Sequence, residues 1–153
     1  MKKIASFTVN HDTIKEGIYI SRIDGDTVTY DVRIKRPNCG DYMSPAVAHT
    51  IEHLLATYIR NSEIEKSVIY VGPMGCMTGF YVILKDDVSY GKAIEIIRNG
   101  FIFISEYSGK IIGAKKTECG NYRCHNLKGA KETARKFVSE IKNWTAENIS
   151  YNN

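Results

Sequence analysis

Two histidines and a glutamate, His49, His53 and Glu52, have the spacing of a metal site on a helix. Residues four positions apart lie on one face of an α-helix, so both imidazoles can reach one cation while Glu52 lies beside them. The alternative for a lone histidine is a half-buried helix residue that hydrogen-bonds a nearby carbonyl. Two histidines and a carboxylate within one turn favour the metal site, with Glu52 as an acid/base group close to the metal.

A third protein ligand is needed, because two histidines hold a metal weakly and a catalytic site also keeps one position open for water or substrate. The downstream residues that could supply it are Glu118, Cys119, Cys124 and His125. We favour Cys119, whose thiolate would complete a His2Cys site in a polar loop. For Cys124 and His125 the alternative is a pair of residues on a surface loop.

Another cysteine, Cys76, ends the segment Gly72-Pro73-Met74-Gly75-Cys76. The proline and two glycines predict a tight turn between two strands. A free cysteine is usually a small buried residue, but this turn makes exposure of the sulfur easy. The residues alone therefore leave Cys76 open to a structural or a chemical role.

The elements that must position these residues can be predicted from periodicity and turn residues. Ser44 and Pro45 predict the N-cap and first residue of a helix through Arg60, which carries the histidine pair. Asp24-Gly25-Asp26 is the predicted hairpin turn. β-Branched or alternating segments predict five strands: Ala5–Val9, Gly17–Ile23, Asp26–Lys35, Ser67–Val71 and Thr78–Leu84. Apolar helical spacing predicts two further helices: Val88–Glu106, capped by Asp87, and Lys128–Trp144.

Strands early in the chain and helices later, without regular alternation, predict an α+β fold: an antiparallel sheet packed with three to four helices. A chain of 153 residues with 43% hydrophobic content can bury one good core. We therefore predict a single domain over residues 1–144, followed by a polar, frayed tail at 145–153.

Charge and hydropathy argue against several classes of function. The 21 Lys and Arg residues are spread among 17 Asp and Glu residues, so the net charge of +4 does not indicate nucleic-acid binding. No stretch approaches the roughly 18 uninterrupted apolar residues of a membrane span, and Met1-Lys2-Lys3 precedes no apolar signal core. The sequence thus predicts a cytoplasmic protein whose four cysteines are reduced thiols available for metal binding or chemistry.

The motifs occur in an order and at spacings that resemble the S-ribosylhomocysteine lyase family, also called LuxS. The residues that carry this resemblance are His49–His53, Pro73–Tyr81 and Cys119-Gly120. Ser6–His11 and Asp31–Asn38 extend it towards the amino terminus, so it covers nearly the whole chain up to the last helix.

The resemblance implies a small α+β homodimer with two active sites at the subunit interface. It implies one Fe(II) per subunit, replaceable by Zn(II) or Co(II), with His49, His53 and Cys119 as ligands. The implied reaction cleaves S-ribosylhomocysteine to homocysteine and 4,5-dihydroxy-2,3-pentanedione, the precursor of autoinducer-2, in the activated methyl cycle. Cys76 and Glu52 match the acid/base pair of the family.

The implied chemistry makes sense of these residue types. A carbonyl must migrate along the ribose by proton transfers before the thioether leaves by β-elimination, and a Lewis-acidic metal would stabilise each enediolate. Cys76 must be ionised to act as a base, and Arg33 is one candidate for the cation that would favour its thiolate. The resemblance also implies that Ser6, His11 and Arg33 bind or orient the sugar; the alternative is that they are polar residues at strand edges.

Two departures from the family pattern affect the side of the site that would bind the homocysteine half. Met77 stands where many family members have Arg or Gln, and Tyr70-Val71-Gly72 replaces an Asp-Ile-Ser that often precedes the proline.

Two other functions use the same motif. His-x-x-Glu-His is also an inverted zinc-protease signature, although such a hydrolase would leave Cys76 and Cys119 without a role. A non-enzymatic protein could instead close a structural metal site with His49, His53, Cys119 and Cys124.

Overall fold

A computed structural model of the chain describes residue 7 and residues 9–151. Within this part of the chain, one four-stranded sheet is formed by β1 (Gly17–Asp24), β2 (Thr27–Arg33), β3 (Val68–Pro73) and β4 (Gly79–Lys85). The strand order is β1-β2-β4-β3, and every neighbouring pair is antiparallel. Gly25 begins the predicted hairpin loop between β1 and β2 with φ 59°, a conformation that glycine adopts without strain.

The two faces of the sheet carry different residues, because successive side chains of a strand point to opposite sides. On one face, Val32 pairs with Phe80 and Tyr30 with Val82, and all four are fully buried in the hydrophobic core. The other face of β2 carries polar residues. This second face contains the pocket described below.

Three α-helices in the described part of the chain complete the fold: α1 (Pro45–Arg60), α2 (Tyr90–Glu106) and α3 (Leu127–Glu140). Helix α1 packs against β3 and both other helices, and its buried stripe includes Ile51 and Leu54. The oxygen of Ser44 accepts a hydrogen bond from the Val47 backbone N–H at 3.3 Å, as expected for an N-cap. The predicted α+β class, antiparallel sheet and metal-motif helix are confirmed. None of the helices described is long and apolar enough to cross a membrane.

Several predicted boundaries differ from the observed ones. Helix α2 is capped by Ser89 rather than Asp87, and β3 continues through Gly72 to Pro73, where a turn was predicted. The predicted strand Ala5–Val9 falls largely outside the described residues, and the two that are described, Phe7 and Val9, belong to no strand.

The carboxyl-terminal segment differs most from its prediction. Helix α3 ends at Glu140 instead of Trp144, because the Trp144 indole turns back to donate to the Ile18 carbonyl at 2.8 Å. The segment 145–151 then lies along β1, where the Ile149 carbonyl accepts from the Ile20 N–H at 2.8 Å. The expected frayed end is therefore packed on the sheet as far as residue 151.

Candidate active site

Helix α1 and the loop before α3 bring four potential metal donors together. One donor atom each from His49, His53, Cys119 and His125 lies within 4.8 Å of every other. Cys119 Sγ lies 3.4 Å from His49 Nε2. The cluster defined by these four residues is the metal cluster below. Its nitrogen and sulfur donors suit Zn(II), Fe(II) or Co(II), so the chain has a group of residues that could hold a metal ion.

Backbone carbonyls orient the two helix histidines. His49 Nδ1 lies 2.9 Å from the Cys124 carbonyl, and His53 Nδ1 lies 2.8 Å from the Ile112 carbonyl. Since a carbonyl only accepts, each Nδ1 must carry the proton, which leaves the Nε2 lone pair for the cluster. A carbonyl-bound histidine and a metal-binding histidine were alternatives in the sequence; here each ring can serve both purposes through different nitrogens.

The loop geometry around His53 depends on a glycine. Gly113 has φ 74°, and a Cβ atom at this position would lie 3.0 Å from His53 Nδ1. A larger residue would therefore be strained and would press on the ring. The loop approaches α1 closely here, which allows the neighbouring Ile112 carbonyl to hold His53.

His125 lies in the loop before α3 and belongs to the metal cluster. Its ring stacks on His49, with centroids 4.2 Å apart and planes 20° apart, and it is half-buried. Burial, followed by the neighbouring His49 and His53, lowers the pKa of His125 below its usual value. The thiol of Cys124 is absent from the cluster, so the closed His2Cys2 site considered above is not formed by the described residues.

A second group of functional candidates lines a cavity of about 280 Å³ on the other face of the sheet. Its walls include His11, Arg33 and Cys76, together with three residues that were given no role in the sequence analysis: Asp31, Tyr81 and Tyr151. We call this cavity the sheet-face pocket. It thus brings together three of the residues predicted from the family resemblance.

A buried ion pair forms the floor of the sheet-face pocket. Arg33 Nη2 lies 2.6 Å from Asp31 Oδ2, and both side chains are only 3% exposed. The Tyr151 hydroxyl also donates to Asp31 Oδ2 at 2.9 Å. Within the described residues, Asp31 Oδ1 and Arg33 Nε are buried without a hydrogen-bond partner, so both can bind a polar ligand.

The charges of this pair also affect their neighbours. Burial alone would lower the pKa of Arg33, but the charge and hydrogen bond of Asp31 raise it overall. Burial, and after it the Asp31 carboxylate, raises the pKa of Tyr151 and of Tyr81. At neutral pH the pocket therefore contains the Arg33 guanidinium and two protonated tyrosines.

Thr78 connects Arg33 to Cys76. Arg33 Nη1 donates to Thr78 Oγ1 at 2.6 Å and lies 4.0 Å from Cys76 Sγ. Thr78 Oγ1 is 3.0 Å from the same sulfur. Because the hydroxyl accepts from Arg33, its own proton is available to Cys76. The exposed Cys76 thus has two donors of the kind that a thiolate binds.

The remaining predicted residues have different positions. Glu52 is half-buried on α1, one turn from His49 and next to His53 in sequence. His11 lines the sheet-face pocket, and its Nδ1 donates to the Val9 carbonyl at 2.9 Å. Ser6 lies outside the described residues.

The structure places the residues that depart from the family pattern, Tyr70, Gly72 and Met77, in or next to the turn before β4. A Cβ atom on residue 72 would collide with the Tyr70 ring, so a tyrosine at 70 in this orientation requires a glycine at 72. Met77 occupies the turn after Cys76 with φ 59°, and its carbonyl accepts from the Met43 N–H at 3.0 Å. In this orientation the exposed Tyr70 ring thus fills the space that a side chain at residue 72 would occupy.

The metal cluster and the sheet-face pocket are separated by the sheet. Helix α1 covers the face that carries Tyr30 and Val32, whereas Asp31 and Arg33 alternate onto the opposite face. The lining of the pocket includes none of the four cluster residues. Fold and site together define a small α+β protein with a histidine–cysteine metal-binding group and a separate polar pocket next to an exposed cysteine.

Comparison with known proteins identifies the family. A sequence model described as S-Ribosylhomocysteinase (LuxS) matches residues 4–148. The chain is 45% identical over 159 residues to an S-ribosylhomocysteine lyase of Clostridium beijerinckii, covering 100% of both chains. It is 46% identical over 155 residues to that of Finegoldia magna, covering 99% of each, and 41% identical over 157 residues to that of Phocaeicola vulgatus, covering 99% and 98%. The chain therefore belongs to the S-ribosylhomocysteinase (LuxS) family.

Proposed function

We propose that this protein is an S-ribosylhomocysteine lyase, a carbon–sulfur lyase that releases homocysteine and 4,5-dihydroxy-2,3-pentanedione, the precursor of autoinducer-2. The observation that carries the proposal is the match to the family over residues 4–148, which includes all the donors of the metal cluster. A hydrolase of the inverted zinc-protease type would use a downstream glutamate as a ligand, and the cluster of the described residues has none.

His49, His53 and Cys119 are the metal ligands in this proposal. Both Nε2 atoms face the cluster, and the Cys119 sulfur is within 3.4 Å of one of them. We take the bound ion to be Fe(II), one per subunit, with Zn(II) or Co(II) as substitutes. When bound, it would supply a Lewis acid for the sugar oxygens. Three protein ligands would leave one position open for a substrate or water oxygen, as catalytic sites of this kind require.

Cys76 and Glu52 act as the acid/base pair. Carbonyl migration requires that a proton leaves one sugar carbon and returns to its neighbour, and β-elimination then requires removal of a proton next to the new carbonyl. Arg33 and Thr78 can donate to the Cys76 sulfur when it is a thiolate. Glu52 is next to the ligand His53 on α1, so its carboxyl can exchange protons with a sugar held at the metal.

The sugar is held by the polar residues of the sheet-face pocket. Arg33 keeps Nε available, and His11 has its Nδ1 bound to the Val9 carbonyl, so its Nε2 can accept from a sugar hydroxyl. Ser6 is the third sugar-binding residue of the proposal. The buried Asp31 carboxylate fixes Arg33 in the orientation that reaches both Thr78 and the pocket.

A homodimer would complete the active site. Within one chain the sheet separates the metal cluster from Cys76, yet the proposed reaction requires both at one sugar. A two-fold axis could place the α1 region of one chain over the sheet-face pocket of a second copy, producing two equal sites. The substrate would be a small polar molecule enclosed between them. The four free cysteines are consistent with a reducing compartment, which we propose is the cytoplasm.

Thiol release tests the activity. The protein is purified anaerobically, loaded with Fe(II) or Co(II), and mixed with S-ribosylhomocysteine and a thiol reagent, with the Cys76→Ala variant as control. Rapid release by the parent and a loss of about a hundredfold or more in the control would support the lyase and the role of Cys76. Absence of release from the folded, metal-loaded parent would refute the proposed function.

Mixed dimers test the shared site. The Cys76→Ala and Cys119→Ala variants are unfolded and refolded together, and each is also refolded alone. If metal and Cys76 come from different chains, half of the dimers regain one site and activity reaches about a quarter of the parent. If each site comes from one chain, the mixture stays as inactive as the separate variants.

A further inference from the structure

His125 lies in the metal cluster but has no role among the three proposed ligands. It immediately precedes Asn126, the N-cap of α3, and its ring lies against those of His49 and His53. The hydrogen bonds around it determine which of its nitrogens carries the proton.

Thr50 fixes the tautomer of His125. The Thr50 hydroxyl donates its proton to the Ala46 carbonyl at 2.8 Å and accepts from the Asn126 backbone N–H at 2.9 Å. His125 Nδ1 lies 3.2 Å from the same oxygen. Because the hydroxyl proton is already used, Nδ1 must be the donor, and Nε2 is left with a lone pair.

That lone pair is directed to a place without a protein donor. His125 Nε2 is buried and has no hydrogen-bond partner among the described residues. Its ring belongs to the group whose donor atoms lie within 4.8 Å of one another. A buried, unpartnered acceptor is costly unless another group meets it, so a protonated atom in the site is expected to do so.

The ring geometry separates His125 from the ligands. An imidazole binds a metal through a lone pair that lies in the plane of the ring. The rings of His125 and His49 are stacked face to face, so their in-plane lone pairs lie in separate, nearly parallel layers and do not converge on one point. The His49 and His53 rings meet edge to face, at 84°, so their in-plane lone pairs can converge on one point.

We infer that His125 Nε2 accepts a hydrogen bond from a hydroxyl group of the ligand, at the place where His49, His53 and Cys119 would hold a metal ion. In the lyase this hydroxyl belongs to the sugar, which His125 orients for proton transfer. The inference rests on the proposed function and on His49, His53 and Cys119 as ligands. Thr50 is a positioning residue, since it acts only through the tautomer and orientation of His125.

The main test uses His125→Phe, which keeps a ring to stack on His49 but has no acceptor. Metal content and the visible spectrum of the Co(II)-loaded protein are measured without substrate, and both should match the parent. In the Cys76→Ala background, which prevents turnover, the dissociation constant for S-ribosylhomocysteine should rise about tenfold, as for loss of one hydrogen bond to a charged or metal-bound group. With Cys76 present, kcat should fall about a hundredfold and KM much less.

Each result leads to one conclusion. Loss of metal or a shifted Co(II) spectrum in His125→Phe would make His125 a ligand and overturn the inference. Unchanged kcat and substrate affinity in His125→Phe would show that His125 only packs against His49, and this would also overturn the inference. If the parent itself releases no thiol, the proposed function fails and the inference fails with it, whereas an active parent with an active variant refutes the inference alone.

Thr50 provides a second test that does not require an altered His125. Thr50→Val removes the oxygen that receives the Nδ1 proton, so His125 is free to adopt the tautomer with a protonated Nε2. Its kcat should fall about tenfold at unchanged metal content, and Thr50→Ser, which keeps the hydroxyl, should restore most of that loss. Equal kcat in the two variants would contradict the tautomer argument even if His125→Phe did not fold.

Discussion

The metal cluster and the sheet-face pocket use different means to hold polar groups inside one small protein. In the metal cluster, imidazoles are held by backbone carbonyls at 2.9 and 2.8 Å, and the donors belong to α1 and to a loop far from it in sequence. In the pocket, a buried guanidinium and carboxylate hold each other at 2.6 Å on a single strand. The cluster is therefore a set of donors that could hold a bound ion, whereas the pocket has a charge network of its own.

The difference has an energetic consequence. Removal of a cluster residue takes away a donor but leaves no buried charge, so it should affect metal binding more than folding. Removal of one member of the ion pair leaves the other charged and buried, so it should affect folding directly. The four predictions below test this contrast.

The largest effect is expected for Cys119→Ala. Loss of the only thiolate in the cluster should reduce metal content from about one per chain to a small fraction and lower lyase activity more than a thousandfold, with little change in folding. Metal analysis after dialysis and circular dichroism measure the two effects. Cys124→Ala is the matched control, because Cys124 contributes its carbonyl and not its thiol. Retention of metal by Cys119→Ala would move the third ligand elsewhere.

Asp31→Asn should destabilise the protein by about 3 kcal/mol, because Arg33 would remain charged and buried without its counter-ion. Urea unfolding of the metal-loaded protein measures this change. Asp41→Asn is the control: Asp41 pairs with Lys35 at the same distance of 2.6 Å but is 71% exposed, so the cost should stay below about 1 kcal/mol. Similar losses of unfolding free energy in the two variants would show that the buried ion pair of the pocket is no more important for stability than a surface ion pair.

Thr78→Val should lower kcat about tenfold, since the Cys76 sulfur would lose a donor at 3.0 Å while Arg33 remains 4.0 Å away. Steady-state kinetics of thiol release give the change, and metal content should not differ from the parent. Thr78→Ser keeps the hydroxyl and should recover most of the activity. An unchanged kcat in Thr78→Val would show that the hydroxyl does not assist the sulfur.

Tyr151→Phe has the smallest expected effect, a loss of about 1 kcal/mol at pH 7 for one hydrogen bond to the Asp31 carboxylate. Burial and Asp31 raise the pKa of Tyr151 above its usual value near 10. Its contribution is therefore full below about pH 10 and declines as the pH rises above that value, because only the unfolded chain readily ionises. Urea unfolding from pH 7 to 11 should show a shallower alkaline decline in the variant; parallel curves would contradict the assignment.

The local sequence was sufficient to predict the elements that are stabilised by interactions between residues close together in the chain. Ser44, Pro45 and the apolar spacing that follows predicted α1 to its observed ends, because capping and amphipathic burial are encoded within a few residues. Gly25 predicted the hairpin because the conformation of a tight turn is also encoded within a few residues. The histidine pair required only the helical period, so the metal motif could be recognised before any tertiary contact was known.

Contacts between distant segments explain what the sequence did not predict. Asp31 and Arg33 are two residues apart on a strand, which indicates a common face, but nothing in the sequence shows that this face is buried under Tyr151. The end of α3 was misplaced because Trp144 finds its acceptor on β1, 126 residues earlier.

The types of residue available for chemistry, the helix that carries two of them and the α+β class follow from periods and turns within short stretches of this chain. The stacking of His125 on His49, the carbonyls that orient each imidazole and the link from Arg33 through Thr78 to Cys76 depend on how the elements pack. Apart from the contact between Thr78 and its near neighbour Cys76, these are pairings across 45 to 76 residues of sequence, and the direction of a side chain in such a pair is set by burial and by the nearest available partner.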